Sequence, residues 1–265
     1  LKKENHKMLQ KALLTLSLLG ATSLFALTPL ELSLKSDALQ EGYIDSKAKM
    51  KMTLTNRSGR QSFREMKQTR LEGPKGDTSS GDKSLIIFIA PADVAGTALL
   101  THEKLDKDDN QWLFLPSLKR VKRIASKNKS GSFMGSEFAF EDIASQDPTK
   151  FTYSDTIKTE IIDGKETYIY ERYPKDKYSG YTKQVIYTSK DFLVQKVEYY
   201  DRKKKHLKTQ TFRGYHQVKG IWRMGGIEMI NHQNKKSSKL EFKDDHIQVG
   251  LSDKNFNKRV LKKAR

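Results

Sequence analysis

The chain has 265 residues, enough for one large domain or two small ones. Hydrophobic residues make up 36% of it and charged residues 31%, and the formal net charge of +18 predicts a soluble protein that is attracted to anionic surfaces. Cysteine is absent, which excludes a disulfide framework, so the fold must be held together by its own core.

The first 26 residues have the pattern of a secretory signal peptide. Lysines precede an apolar run at 12–26, which ends in small residues and is followed by Thr28 and Pro29. This run is shorter than the roughly 20 residues that a membrane-spanning helix needs. We therefore predict export to the periplasm with cleavage near Ala26. Because a bacterial lipoprotein has a cysteine directly after its signal peptide, we expect the mature domain to carry no lipid anchor.

The mature chain is predicted to begin with a short helix, followed by a strand. Leucines at 30, 34 and 39 have helical spacing, and Ser36 with Asp37 resembles an N-cap, so we expect the helix to begin near Ser36. Met50, Met52 and Leu54 then alternate with polar residues. This two-residue period is typical of a strand with one solvent-exposed and one apolar face.

The same alternation continues to the end of the chain and predicts about twelve strands. Further strands are expected at 61–71, 84–89, 97–102, 111–116, 121–126, 151–162, 166–173, 182–188, 193–200, 208–218, 221–231 and 239–247. Turn sequences such as Asp163-Gly164 and Lys219-Gly220 separate them at the spacing of consecutive hairpins. These features predict a mainly β fold, an antiparallel meander that closes toward a barrel.

Two segments interrupt this pattern. Residues 128–147 lack strand periodicity and are expected to form a loop that leads into a short helix at 136–143. Near the end of the chain, Ser252 and Asp253 are expected to cap a helix that contains Phe256, Val260 and Leu261. Neither segment marks a domain boundary, so we predict one domain over 27–265.

The sequence contains no recognisable enzyme signature. The six histidines show no metal-binding spacing. Ser132, between Gly131 and Gly135, lies one position too early for a nucleophile elbow. The acidic run at 106–110 lacks the glycine and the final glutamate of a calcium loop. We therefore predict that the protein is not an enzyme and uses no metal or cofactor.

Basic runs follow one another along the chain, at 119–123, 202–205 and 258–265. Such runs are typical either of nucleic-acid-binding surfaces or of ordinary solvated surfaces. An exported protein meets anionic lipid headgroups rather than nucleic acid. We favour a solvated surface without nucleic-acid binding, with transient contact to a membrane or partner through Lys119, Arg120, Lys122 and Arg123.

Several positions expected to face inward carry long or flat apolar side chains, which suit an adaptable cavity lining. An ordinary filled core is the alternative, because small barrels are usually filled by side chains. The candidates for lining a lipid-binding cavity are Met50, Met52, Leu54, Phe63, Met66, Phe88, Leu113, Leu115, Phe133, Met134 and Phe138, with Phe140 beside them.

Three segments carry a resemblance to a known family: PADVAGTA at 91–98, WLFLPSLKRVKRI at 112–124, and GSFMGSEF at 131–138, followed by Glu141 and Asp142. Their order and spacing resemble the outer membrane lipoprotein-sorting protein family. Glu137 departs from the family pattern, in which an aspartate is expected at this position. Outside 85–143, the resemblance rests on the strand layout alone.

The resemblance implies a LolA/LolB-like fold, in which an incomplete barrel with short lid helices encloses an apolar cavity for acyl chains of lipoproteins or lipids. It also implies a carrier, expected to be a monomer, that moves cargo toward the outer membrane beside an exporter of the resistance-nodulation-division (RND) superfamily. The alternative is a periplasmic lipid or envelope-stress sensor that signals through a partner protein. A basic polyanion-binding protein without a cavity is a third possibility, and its binding would collapse with salt.

Overall fold

The computed structural model describes residues 27–144 and 146–263, so the predicted signal peptide, 1–26, lies outside the described residues. The α-helices are α1 (Pro29–Ala38), α2 (Phe140–Ile143) and α3 (Lys258–Leu261). The strands are β1 (Asp45–Thr55), β2 (Gln61–Leu71), β3 (Ser80–Ala90), β4 (Ala98–Lys104), β5 (Asn110–Leu115), β6 (Arg120–Ile124), β7 (Phe151–Tyr153), β8 (Lys158–Ile162), β9 (Lys165–Pro174), β10 (Tyr181–Ser189), β11 (Val194–Asp201), β12 (His206–Arg213), β13 (His216–Val218), β14 (Ile221–Arg223), β15 (Gly226–Asn231) and β16 (Lys236–Ile247). Within the described part, no helix has the length and apolar character that crossing a membrane requires.

Two meanders join to make one 14-stranded antiparallel sheet. Strands β1 to β6 pair in chain order, and the second meander contains β7 to β12 with β15 and β16. The pairing of β1 with β16 joins the two. The sheet path ends at β6 on one side and at β7 on the other, and the described strands do not close it. This confirms the prediction of an incomplete antiparallel barrel.

Sixteen strands are present in the described residues where about twelve were expected, because three predicted strands are interrupted. The segment 151–162 forms β7 and β8, 208–218 forms β12 and β13, and 221–231 forms β14 and β15. At the last two breaks, two glycines allow the backbone segments to approach closely. Gly214 has a φ of +66°, and a Cβ on Gly225 would lie 2.9 Å from the Gly214 carbonyl oxygen.

Helix α1 begins a full two turns before the predicted start at Ser36, so that prediction is wrong. Thr28 and Glu31 form a reciprocal capping box, in which the Glu31 amide donates to Thr28 Oγ1 at 3.2 Å and the Thr28 amide donates to Glu31 Oε2 at 2.8 Å. Pro29 occupies the first turn, where its missing N–H costs nothing. Ser36 instead lies inside the helix, near its end.

Each face of the sheet has its own apolar cluster. On the concave face, Met50 pairs with Met66, and Met66 pairs with Phe88, so all three side chains lie on the same side. On the convex face, Phe256 and Leu261 from the C-terminal segment pack against Trp112 and its neighbours on β3 to β5. The C-terminal segment therefore covers the convex face at β3 to β5. The concave face carries the cavity described below.

Candidate functional site

A cavity of about 760 Å³ lies on the concave face of the sheet. Its wall takes residues from β1 to β4 on one side and from β9 to β12 and β14 to β16 on the other. Helix α1 and the segment after β6 complete it. This volume falls in the range of about 300–1,000 Å³ that is usual for pockets that bind small molecules.

One part of the cavity wall, which we call the apolar floor, consists of large hydrophobic side chains. It includes Met50, Ile86, Phe133, Ile186, Val197, Phe212, Ile227, Leu240 and Phe242. These side chains come from both meanders, because alternate residues of every strand point to the concave face. The floor rests on the buried cluster that fills the other end of the barrel.

The lid segment, residues 125–144, leaves edge strand β6 and closes the filled end of the barrel. Phe133 and Phe138 are fully buried in the concave cluster. The Glu137 amide donates to Ser238 Oγ on β16 at 2.9 Å, and the Phe140 carbonyl accepts from Gln111 Nε2 on β5 at 3.1 Å. The segment is thus fastened to strands of both meanders.

A buried ion pair strengthens this attachment. Lys208 Nζ on β12 lies 3.1 Å from Asp142 Oδ2, and both side chains are almost completely buried. Lys208 also donates to the Glu137 carbonyl at 2.9 Å and to the Tyr181 hydroxyl at 2.8 Å, and that hydroxyl donates to Asp142 Oδ1 at 2.8 Å. Burial raises the pKa of Tyr181 well above its ordinary value, so the phenol stays protonated as a donor.

The opposite end of the cavity has a polar rim, formed by Tyr43, Arg70, Asp82, Arg223 and Asp245. Arg70 Nη2 and the Tyr43 hydroxyl both donate to Asp82 Oδ2, at 2.8 and 2.6 Å. Arg223 Nε donates to Asp245 Oδ2 at 2.7 Å. Both guanidinium groups lie 5.1 Å from the Tyr43 ring centroid. Burial raises the pKa of Tyr43, so its hydroxyl remains a donor.

Asp37, near the end of α1, also lines the cavity. Burial raises the pKa of this carboxyl to about 7 from the ordinary 3.8. The nearby carboxylates raise the pKa further because two negative charges in one place repel; they belong to Glu41, Asp147, Asp82 and Glu103. A carboxyl with a strongly shifted pKa in a cleft is a feature of functional sites.

The structure brings only part of the predicted lining to the cavity. Met50 and Phe133 line it. Five others lie in the filled end, away from the cavity wall: Met52, Met66, Phe88, Leu113 and Phe138. Four more pack partly buried around that cluster: Leu54, Leu115, Met134 and Phe140. The predicted set therefore divides into a small lining group and a larger packed group.

The inward position predicted for Phe63 is wrong. Phe63 and Met66 are three residues apart on β2, and side chains on a strand alternate between faces, so the two point to opposite sides. Met66 is buried, whereas Phe63 is 47% exposed on the convex face, with Lys51 Nζ 4.6 Å from its ring centroid.

Sequence reasoning missed the lining residues of the second meander and of α1. Tyr170 and Arg172 on β9, and Val197 and Tyr199 on β11, line the cavity at alternate positions. This alternation was available as a signal in the sequence. No such signal was available for Asp37, because its position depends on how α1 packs over the sheet.

The four predicted surface cations lie at the open edge of the sheet. Arg120, Lys122 and Arg123 are exposed on edge strand β6, and Lys119 is exposed just before it. Leu118 beside them is 61% exposed. Charged side chains on an edge strand also discourage pairing with another chain.

Comparisons with known proteins agree with this architecture. A family model described as an uncharacterized protein matches residues 80–263. The chain is similar to the solved structure of an outer membrane lipoprotein-sorting protein domain from Vibrio parahaemolyticus, with 46% identity, a TM-score of 0.83, and coverage of 88% of this chain and 97% of that chain. A search among curated proteins found no match.

Two further solved structures are similar over most of their length. A DUF1329 family protein from Desulfovibrio piger is 31% identical, with a TM-score of 0.81 and coverage of 88% of this chain and 97% of that chain. A LolA superfamily protein from Nitrosomonas europaea is 20% identical, with a TM-score of 0.70 and coverage of 89% and 100%. The last likeness concerns the fold alone.

Proposed function

The chain belongs to the outer membrane lipoprotein-sorting protein family, and we propose that it is a carrier that binds the acyl chains of lipoproteins or lipids in its concave cavity. The observation that supports this most strongly is the cavity itself, about 760 Å³ with an apolar floor. A protein with an ordinary filled core would have no such space on the concave face of its sheet.

The energetics favour an acyl chain as the occupant of the floor. Each CH₂ removed from water contributes about 0.8 kcal/mol, so a sixteen-carbon chain left in water costs on the order of 10 kcal/mol. The apolar floor offsets this cost. A bilayer also removes the acyl chain from water, so the free energies of the chain in the carrier and in the membrane are similar. Contacts at the polar rim then determine how tightly a headgroup is bound.

The proposal also includes the compartment, oligomeric state and partner of the carrier. The carrier works in the periplasm after cleavage of residues 1–26, acts as a monomer, and moves its cargo toward the outer membrane with an exporter of the RND superfamily. The family resemblance of the sequence supports these statements. The proposed carrier needs no catalytic group, because no covalent bond of the cargo is formed or broken.

The basic edge at Lys119, Arg120, Lys122 and Arg123 is proposed as the surface that meets anionic membranes or a partner. All four are exposed, and exposed charges add little to stability. Replacing them together with glutamine should leave the melting temperature nearly unchanged and weaken binding to anionic vesicles at low salt. A large loss of stability would assign the run to the fold instead.

A fluorescence assay tests the cavity directly. Ala48 lines the cavity, so Ala48→Trp should fill it and remove most binding of the neutral apolar probe N-phenyl-1-naphthylamine. Lys49 is exposed on the other side of the same strand, and Lys49→Trp is the matched control that should bind the probe like wild type. Equal probe binding by the two variants, or none by wild type, would contradict the proposal.

A further inference from the structure

The charge of the cavity wall is opposite to the charge of the whole protein. The chain carries 50 lysines and arginines against 32 acidic residues. Among the described residues that line the cavity, nine are acidic and four are basic. The net charge of the molecule therefore does not explain the local charge of this wall, which attracts cations.

Most of the positive groups on the wall already have partners. Arg70 is paired with Asp82, and Arg223 with Asp245. Arg172 donates to the side-chain oxygens of Gln184 at 2.8 Å and Gln146 at 3.2 Å. Lys75 is exposed in a turn. Two of the acidic groups are paired with lysines outside the wall, Asp142 with Lys208 and Glu103 with Lys150. Among the described residues, the other five acidic groups form no ion pair, which leaves the wall negative even with Arg172 and Lys75 counted; they are Asp37, Glu41, Glu72, Asp77 and Asp147.

Asp37 is the clearest uncompensated charge. Its carboxylate forms no ion pair and accepts no hydrogen bond from the described residues, although it lies partly buried near Glu41 and Asp147. Its burial, and after that the neighbouring carboxylates, raise its pKa to about 7. An amine placed here would remove the repulsion that this arrangement creates.

A second observation also points to a ligand at this place. Ser36, next to Asp37, is only 5% exposed and lines the cavity. Its hydroxyl has no hydrogen-bond partner among residues 27–144 and 146–263. Buried hydroxyls in folded proteins nearly always have a partner, so an unpartnered one at a cavity wall suits a polar group supplied from outside.

From these features we infer that the cargo is an amphiphile whose polar end carries a positively charged amine, received by Asp37 and Ser36 while its acyl chain lies on the apolar floor. This inference rests on the proposed carrier function. The amine could belong to the headgroup of an aminolipid or to a basic residue of an acylated peptide, and the two sources present the same chemistry to Asp37.

Matched amphiphiles with one chain length and three headgroups test the inference. Binding of decylammonium, decyl sulfate and decyl maltoside to the mature protein is measured by calorimetry below their micelle concentrations. Non-specific attraction by the mature protein, which remains strongly basic, would favour the sulfate. We expect the opposite order, with the ammonium compound bound about tenfold more tightly than the maltoside.

A charge-matched pair of variants assigns the preference to the site. Asp37→Asn should reduce the preference for ammonium about tenfold and leave maltoside binding unchanged. Asp163→Asn removes one negative charge from an exposed hairpin turn and should keep the preference. Lysophosphatidylethanolamine and a palmitoylated lysine peptide, compared in the same assay, then identify which source binds more tightly.

The outcomes separate this inference from the carrier proposal. If decyl maltoside binds but ammonium is not preferred, or if Asp37→Asn keeps the preference, the inference fails and the carrier function stands. If no decyl compound binds, both fail. An equal loss of preference in Asp163→Asn would also overturn the inference, because the effect would then come from overall charge.

Discussion

At the scale of single residues, two neighbouring methionines of β1 differ in what surrounds them. Met52 is completely buried in the filled end, whereas Met50 borders the cavity. Met52→Ala should cost about 2–5 kcal/mol of unfolding free energy, because it leaves a new void in a packed core. Met50→Ala should cost about 1–2 kcal/mol, since it only enlarges an existing space. Urea unfolding of the mature domain measures both, and equal costs would show that the barrel is filled at both positions.

Asp37 should make the free energy of unfolding fall as the pH rises, which is the opposite of what an ion-paired carboxylate does. Its pKa rises on folding from 3.8 to about 7, so between pH 4 and 7 the folded protein holds a proton that the unfolded chain has released. Stability therefore falls as pH rises through this window. Asp37→Asn should be more stable than wild type at pH 8, by about 1–3 kcal/mol after allowance for solvent screening, and should match it near pH 4.

Thermal unfolding at several pH values checks this expectation. Asp163→Asn, at an exposed position, should follow wild type at every pH. A constant difference between Asp37→Asn and wild type from pH 4 to 8 would mean that the carboxyl at Asp37 titrates normally.

The sequence predicts which face of the sheet a residue lies on, because this depends only on strand alternation. It does not predict whether that residue borders the cavity, because this depends on packing. Alternation places Met50 and Met52 on the same apolar face, and they do share it. It does not say that one borders a cavity while the other is packed, because that depends on the lid segment above them. The error at Phe63 was avoidable, since its distance of three residues from Met66 already contradicts a shared face.

At the scale of elements, the buried pair of Lys208 and Asp142 holds the lid segment to β12. Lys208→Ala should destabilise the protein by about 3–5 kcal/mol, because it leaves the Asp142 carboxylate buried without its cation. The double variant with Asp142→Ala should recover part of this loss. Lys239→Ala is the matched control, since its pair with Glu241 is exposed and should contribute less than about 1 kcal/mol. If both lysine variants cost the same, the lid segment is held by its apolar contacts alone.

The strands were largely predictable from the sequence, and the element boundaries were less so. The predicted strand at 61–71 has the observed bounds of β2. The predicted strand at 208–218 is broken instead at Gly214, where the backbone approaches Gly225 closely. The sequence places the start of α1 too late, because Ser36 is a residue type that caps helices, whereas the reciprocal hydrogen bonds of Thr28 and Glu31 form the actual N-cap.

At the scale of the whole molecule, the barrel is filled at one end and hollow at the other. The lid segment supplies Phe138 to the filled end and Phe133 to the apolar floor, and the polar rim surrounds the hollow end. The alternation in the sequence predicted an antiparallel meander closing toward a barrel, and the family resemblance added that the barrel is incomplete and carries a lid. It did not predict the acidic wall, whose residues come from distant parts of the chain and meet only in the fold.

The most direct test of the carrier account is native mass spectrometry of the mature protein purified from the envelope of cells that produce it. The account predicts one bound acyl-containing molecule on wild type and on Lys49→Trp, and its loss from Ala48→Trp, whose indole occupies the cavity. Wild-type protein free of any acyl species, or the same bound species on Ala48→Trp at equal occupancy, would contradict the account.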